Sequence, residues 1–356
     1  MQTTNQSARA DFMSMTLPEL TEYVAGLGEK PYRAAQLFSW MAKGAPLEEM
    51  TNLPAAFRKK LAQEGDYRLP VIGEKLVSAI DGTVKYLCAM NDGECVETVF
   101  MRYEHGTSVC VSSQAGCAMG CRFCASTLRG KARNLTASEI LGQAAAAARD
   151  TGERVDGIVL MGIGEPLDNY DNVIRFLRLV SAPEGMGIGL RHISLSTCGL
   201  VPRIYDLAQE GLPVTLSVSL HASDDETRSA LMPINRRWPI AELLEACRAY
   251  FGKTGRRVSF EYTLIGGEND GIRDAARLAE VLKKGMRAPC HVNLIRLNEV
   301  RETGLNAPER ERANDFMKEL TSRGINATIR RRLGSDINAS CGQLRLKKLA
   351  ETEEKT

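Results

Sequence analysis

The chain has 356 residues, 44% of them apolar and 25% charged, with a formal net charge of +2 and ten cysteines. That size allows one large α/β domain with a smaller appendage, and ten cysteines without an export signal imply a reducing cytoplasm. The polar stretch Met1–Met15 excludes an evident secretory signal, no uncharged apolar run approaches a membrane span, and the net charge alone gives no argument for nucleic acid.

Residues 1–66 read as a helical accessory module. Thr16 and Glu19 form a capping-box pattern before Leu17–Ala25, which Gly26 and Gly28 stop. Pro31 opens a second helix with Ala34, Leu37, Phe38 and Met41 on one face, and a third runs from Leu53 to Gln63.

Residues 67–105 change to the period of strands, with Asp81-Gly82 and Asn91-Asp92-Gly93 as hairpin turns. On Cys95–Tyr103, alternation sets Cys95, Glu97, Val99 and Met101 on one face. A carboxylate there is costly unless paired or used. Pattern alone favours a solvent-exposed face with Glu97 an ordinary surface group.

From Thr107 onward strands alternate with helices. The strands are Ser108–Ser113, Gly157–Met161, His192–Ser196, Val214–Leu220, Val258–Leu264 and Val292–Arg296. Ala137–Arg149 reads as a helix behind a Thr136/Glu139 capping box, and a last strand, Ala327–Arg331, precedes Gly334. Six β-α units predict an open, partial (β/α)6 barrel over residues 106–346, with 347–356 a frayed tail.

The first barrel strand leads into Cys117-Ala-Met-Gly-Cys121-Arg-Phe-Cys124. Three closely spaced thiolates can hold three irons of a four-iron cluster and leave the fourth open to substrate or cofactor. A structural zinc site needs four protein ligands, and no second Cys-x2-Cys or His pair stands nearby. An odd group of three also argues against a disulfide.

Other unusual residues fall at the strand ends, where the reacting face of such a fold lies. They are Gly162-Ile163-Gly164-Glu165-Pro166, Ser196-Thr197-Cys198-Gly199, Ser219-Leu220-His221 and Asn298. Together they suit a ligand with amino, carboxylate and hydroxyl groups. Cys88, Cys95, Cys247 and Cys290 read as buried apolar residues, with Cys198 left open. Cys341 stands in a polar loop, where a thiolate is exposed and nucleophilic. Basic groups bunch at Arg129/Lys131/Arg133, Arg236/Arg237, Arg256/Arg257, Arg330–Arg332 and Arg345/Lys347/Lys348. Such patches on a near-neutral body suit a phosphate backbone or, cluster by cluster, plain solvated surface.

Over nearly its whole length the chain resembles the radical S-adenosylmethionine (SAM) RNA methyltransferases of the RlmN/Cfr type. The resemblance rests on the three-cysteine loop, Val-Glu97-Thr-Val, Cys110-Val-Ser-Ser-Gln, Asn134-Leu-Thr, Gly-x-Gly-Glu165-Pro, Ser-Leu-His221 and Asp-Ile-x-x-x-Cys341-Gly-Gln-Leu. It implies one [4Fe-4S] cluster on Cys117, Cys121 and Cys124, and SAM contacts from Gly164, Glu165, Ser196, Ser219, Leu220, His221 and Asn298. It also implies two SAM molecules per turnover, Cys341 as methyl carrier, Cys110 as resolving thiol and Glu97 as general base. The implied substrates are 23S rRNA and tRNA, methylated at carbon 2 of an adenosine. A flavodoxin-like electron donor, a monomeric state and no membrane partner complete the expectation. Methylation at carbon 8 of the same rRNA base, or a zinc-stabilised RNA-binding protein without catalysis, are the alternatives. Cys198 stands where the family usually has a second serine, Ile163 where a methionine is common, and no proline follows Asn298.

Overall fold

The computed structural model describes residues 9–67, 69–337 and 342–353. Three helices come first: α1 (Leu17–Gly26), α2 (Tyr32–Ala42) and α3 (Ala55–Glu64). The face of α2 read from periodicity is the buried one, with Ala34, Leu37, Phe38 and Met41 all in the core. Both helical starts with a Thr-x-x-Glu pattern form capping boxes, at Thr16/Glu19 and Thr136/Glu139.

The strands and helices that follow are β1 (Val71–Val77), β2 (Val84–Ala89), β3 (Cys95–Tyr103), β4 (Gly106–Cys110), β5 (Gln114–Gly116), β6 (Lys131–Asn134), α4 (Ala137–Thr151) and β7 (Gly157–Leu160). The chain continues through α5 (Tyr170–Ser181), β8 (Ile193–Thr197), α6 (Val201–Gln209), β9 (Thr215–Ser219), α7 (Asp225–Leu231), α8 (Ile240–Thr254) and β10 (Val258–Leu264). It ends with α9 (Ile272–Met286), β11 (Cys290–Arg296), α10 (Arg310–Ser322), β12 (Asn326–Ile329) and α11 (Gln343–Glu353).

One sheet of ten strands runs β1-β2-β3-β4-β7-β8-β9-β10-β11-β12, and β5 pairs with β6 in a small separate ribbon. Strands β1 to β4 pair antiparallel; from β4 to β12 every pairing is parallel. The result is the mixed α/β sheet of an open barrel, with the β-extension continuous with the barrel wall. Because these pairings are all parallel, the strands' C-terminal ends lie on one side. Its core is aliphatic and aromatic, with Phe260, Tyr262, Leu216 and Val218 fully buried. The helical module packs on α4 and α5: Ser138 donates to Asp11 at 2.7 Å, and Arg175 meets Glu19 at 2.7 Å.

Two expectations change. The face of β3 read as exposed is buried along its length, Cys95, Glu97, Val99 and Met101 all being under 10% exposed. The chain's end returns to cover part of it: Leu344 of α11 packs with Leu87 and Cys95. That return also replaces the frayed tail, because α11, fixed at its start on β3, runs on to Glu353. No helix among the described residues is long and apolar enough to cross a membrane.

Candidate functional site

The ribbon β5–β6 pinches the base of the cysteine loop. Gly116 has φ +82°, and a Cβ there would stand 1.9 Å from the Gly130 carbonyl oxygen, so only glycine fits. Inside the loop, Cys117 N–H donates to Gly130 O and Cys124 N–H to Cys121 O, both at 3.1 Å. The Thr127 hydroxyl donates to the carbonyls of Cys121 and Cys124.

Cys117, Cys121 and Cys124 line one end of a cavity of about 830 Å³ at the C-terminal ends of the parallel strands. Among the described residues no three His, Cys, Asp or Glu side chains gather closely enough to hold a single metal ion. Three thiolates on one stretch of cavity wall suit a cluster, in which each takes its own iron. Burial pushes the Cys117 thiol up to about 12 and raises Cys121 and Cys124 too. Three such thiols ionise together only if a cationic group shares their space. The residues fit the iron–sulfur cluster that the resemblance implies.

The other strand ends converge on the same cavity. A Cβ on Gly162 would lie 2.6 Å from Val111 O, and one on Gly164 2.6 Å from Gln114 Cβ, so the Gly-x-Gly turn exists for close approach. Glu165, also lining the cavity, is held by backbone N–H groups: Cys198 N–H donates to Oε2 at 2.7 Å and Leu167 N–H to Oε1 at 3.0 Å. Ser196, Ser219 and Asn298 line the wall. His221 has φ +53°, and its Nδ1 accepts from Thr263 N–H at 2.8 Å. Burial lowers its pKa to about 3, so the ring stays neutral. With Nδ1 accepting, Nε2 carries the proton. The Phe123 ring, one residue before the third cysteine, meets the His221 ring edge-on at 4.8 Å. Leu220 differs from the rest: it is fully buried and does not line the cavity. Its N–H goes to Glu261 O and its carbonyl to Arg228.

Cys110 closes β4 and opens onto the cavity, its thiol pushed up by burial to about 11. Glu97 lines the same cavity from β3. Cys341 lies outside the described residues; its neighbour Gly342 donates its N–H to Glu97 Oε2 at 2.8 Å. Arg330, Arg331 and Arg332 line the cavity and are exposed, together with Arg310.

Sequence reading missed several residues that build this site. Arg228, fully buried, donates to the carbonyls of Cys198, Ser219 and Leu220 and to Asn235 Oδ1, tying two strand ends together. Its sequence context, an ordinary helical Arg in Asp-Glu-Thr-Arg, carried no signal of burial. Glu261 lines the cavity from β10, with Oε2 accepting from Asn293 at 2.8 Å. Arg345, grouped by sequence with surface cations, is buried and donates to Cys95 O and Glu94. Lys85, also buried, pairs with Glu97. A signal for it existed: the Asn91-Asp92-Gly93 turn fixes a register that makes Lys85 the diagonal neighbour of Glu97.

Comparison with known proteins agrees with this geometry. Residues 111–279 match the Radical SAM superfamily, and residues 10–65 match the ribosomal RNA large subunit methyltransferase N-terminal domain. A probable dual-specificity RNA methyltransferase RlmN of Clostridium acetobutylicum is 48% identical over 338 residues, covering 95% of this chain and 97% of its own. The protein of the same description from Pelotomaculum thermopropionicum is 51% identical over 341 residues, covering 95% and 92%. The crystal structure of a radical SAM methyltransferase from Sphaerobacter thermophilus superposes with a TM-score of 0.89 at 45% identity, over 94% of this chain and 98% of that one.

Proposed function

Because this chain belongs to the RlmN family of radical SAM RNA methyltransferases, we propose that it methylates carbon 2 of an adenosine in 23S rRNA and in the tRNA anticodon loop. It is a SAM-dependent methyltransferase, and its family implies a [4Fe-4S] cluster. The observation that carries the finer reading is convergence: one cavity gathers the three loop thiols, Cys110 and Glu97. Carbon 2 of adenine is electron-poor, so a methyl sulfonium cannot simply be attacked by it.

Cys117, Cys121 and Cys124 would hold the cluster, with Gly164, Glu165, Ser196, Ser219, His221 and Asn298 around the SAM. When bound, that pair supplies a radical able to take hydrogen from a methyl group. Cys341 takes the methyl first, by displacement at its thiolate; with the second SAM used for the radical, two are consumed per turnover. After hydrogen is lost, the carbon on Cys341 bonds to the ring, and the adduct gives up one electron, for which the cluster held by Cys117, Cys121 and Cys124 would be the one-electron acceptor. Glu97 receives the ring proton. The Cys110 thiolate then attacks the Cys341 sulfur, the S–C bond breaks, and the released carbon takes a proton to become the product methyl. A Cys110–Cys341 disulfide remains for reduction. Arg330–Arg332 hold phosphates of an RNA loop whose target base is unstacked, and the helical module adds RNA contacts. A flavodoxin-like protein delivers electrons to a monomeric enzyme.

Mass spectrometry of nucleosides from a deficient host expressing this chain tests the position. 2-Methyladenosine in rRNA and tRNA is expected; 8-methyladenosine would overturn carbon 2. Anaerobically purified protein should contain iron and sulfide, and zinc without sulfide would end the radical reading.

A further inference from the structure

The buried ion pair behind the cavity has a consequence for the chain end that follows Cys341. Lys85 Nζ lies 3.0 Å from Glu97 Oε2, with the two side chains 1% and 2% exposed. Both Glu97 oxygens are also capped by the start of α11: Gly342 N–H donates to Oε2 and Arg345 N–H to Oε1, each at 2.8 Å. The carboxylate thus accepts from three donors, one of them the ammonium. Stripped of its ammonium partner, a carboxylate so deeply buried would be left with an uncompensated charge and would no longer be held in its place.

Gly342 itself is wedged. Its φ is +85°, and a Cβ there would meet Ser126 Oγ at 2.9 Å and Ala125 Cβ at 3.0 Å, in the turn directly after Cys124. Arg345 completes the attachment through Cys95 O at 2.9 Å and Glu94 Oε2 at 2.8 Å. The residue after Cys341 is therefore fixed between β3 and the cysteine loop, through one carboxylate.

We propose that Lys85 is a positioning residue for methyl transfer: it holds Glu97 in place as the cap that anchors Gly342, and so fixes the chain directly after Cys341. The inference rests on Cys341 as carrier and Glu97 as base.

The test uses the full chain with its cluster reconstituted. Lys85→Met should keep the cluster absorbance and the KM for RNA, and lower kcat at least about tenfold. Mass spectrometry should show less methyl on Cys341. Hydrogen exchange should become faster in the peptide spanning Gly342–Arg345 while β3 stays protected. Lys85→Arg should recover most of the kcat, which a general loss of packing would not allow. Should Lys85→Met fail to fold, the pair Lys85→Met with Glu97→Leu leaves no unpaired charge; it should fold and show the same fast exchange. Normal kcat in Lys85→Met, no recovery with Arg, or unchanged protection at 342–345 in the double variant would overturn the proposal. Active wild-type enzyme lacking any methyl on Cys341 would instead refute the carrier reading, and the exchange result would still judge the anchor.

Discussion

Single residues here do work that depends on their surroundings more than on their type. Cys110 is one of ten cysteines, and at the end of β4 it opens onto the cavity beside the three-thiol loop. Cys110→Ala should stall turnover after the ring is joined to Cys341, leaving a covalent protein–RNA adduct visible as a shifted band on a denaturing gel. Normal turnover would remove Cys110 from the scheme. Arg228 ties three carbonyls and Asn235 in a fully buried site. Arg228→Met should cost about 2–4 kcal/mol in denaturant unfolding, because the carbonyls lose their donor without gaining water. His221 gives a pH signature. Its folded pKa of about 3 lies below its ordinary 6.5, so the unfolded chain binds the extra proton between those values. Stability should therefore fall as pH drops through that window, by at most about 1.4 kcal/mol per pH unit from this ring. The wild-type curve minus that of His221→Gln, read from thermal melts across pH 4–7, should show this slope.

Elements whose signals are local were legible in the sequence, and those set by distant contacts were not. The Thr136/Glu139 pattern marks the start of α4, and the strand read at Val258–Leu264 is β10 to the residue. Capping and short-range periodicity need only neighbours a few positions away. The strand read to Ser113 stops at Cys110 instead, because the chain leaves the large sheet to pair Gln114–Gly116 with Lys131–Asn134. Nothing local announces that ribbon, though Gly116 is its requirement. Gly116→Ala should lower iron and sulfide per chain markedly while far-UV circular dichroism stays near wild type; full cluster content would show that the pinch does not matter. The exposure of β3 was misread for the same reason: its partner, α11, lies some 245 positions away, as the Arg345–Glu97 and Gly342–Glu97 bonds record. The loop thiols, Cys110 and the strand-end residues that line the cavity stood out in the sequence because their chemistry is unusual; Leu220, read with them, lies buried away from it. The buried cations Lys85, Arg228 and Arg345 were not, since a charged residue reads as surface until its partner is known.

At the scale of the whole molecule, the open barrel joins its two margins through side chains. Asp81, in the turn between β1 and β2, accepts from Gly334 N–H at 2.9 Å, and Asp336 accepts from Ser78 and Ala79 at 2.7 and 2.9 Å. The first and last strands of the large sheet, β1 and β12, are thereby linked across the gap that a six-unit barrel leaves. That arrangement gives the chain's final turn a place in the wall of the cavity. Translation proceeds from the amino end, so Lys85 and Glu97 are made long before the segment that shelters them. A chain released before codon 342 would leave that charge pair open to water and the cavity missing one side, so the chamber closes only once translation has passed the start of α11.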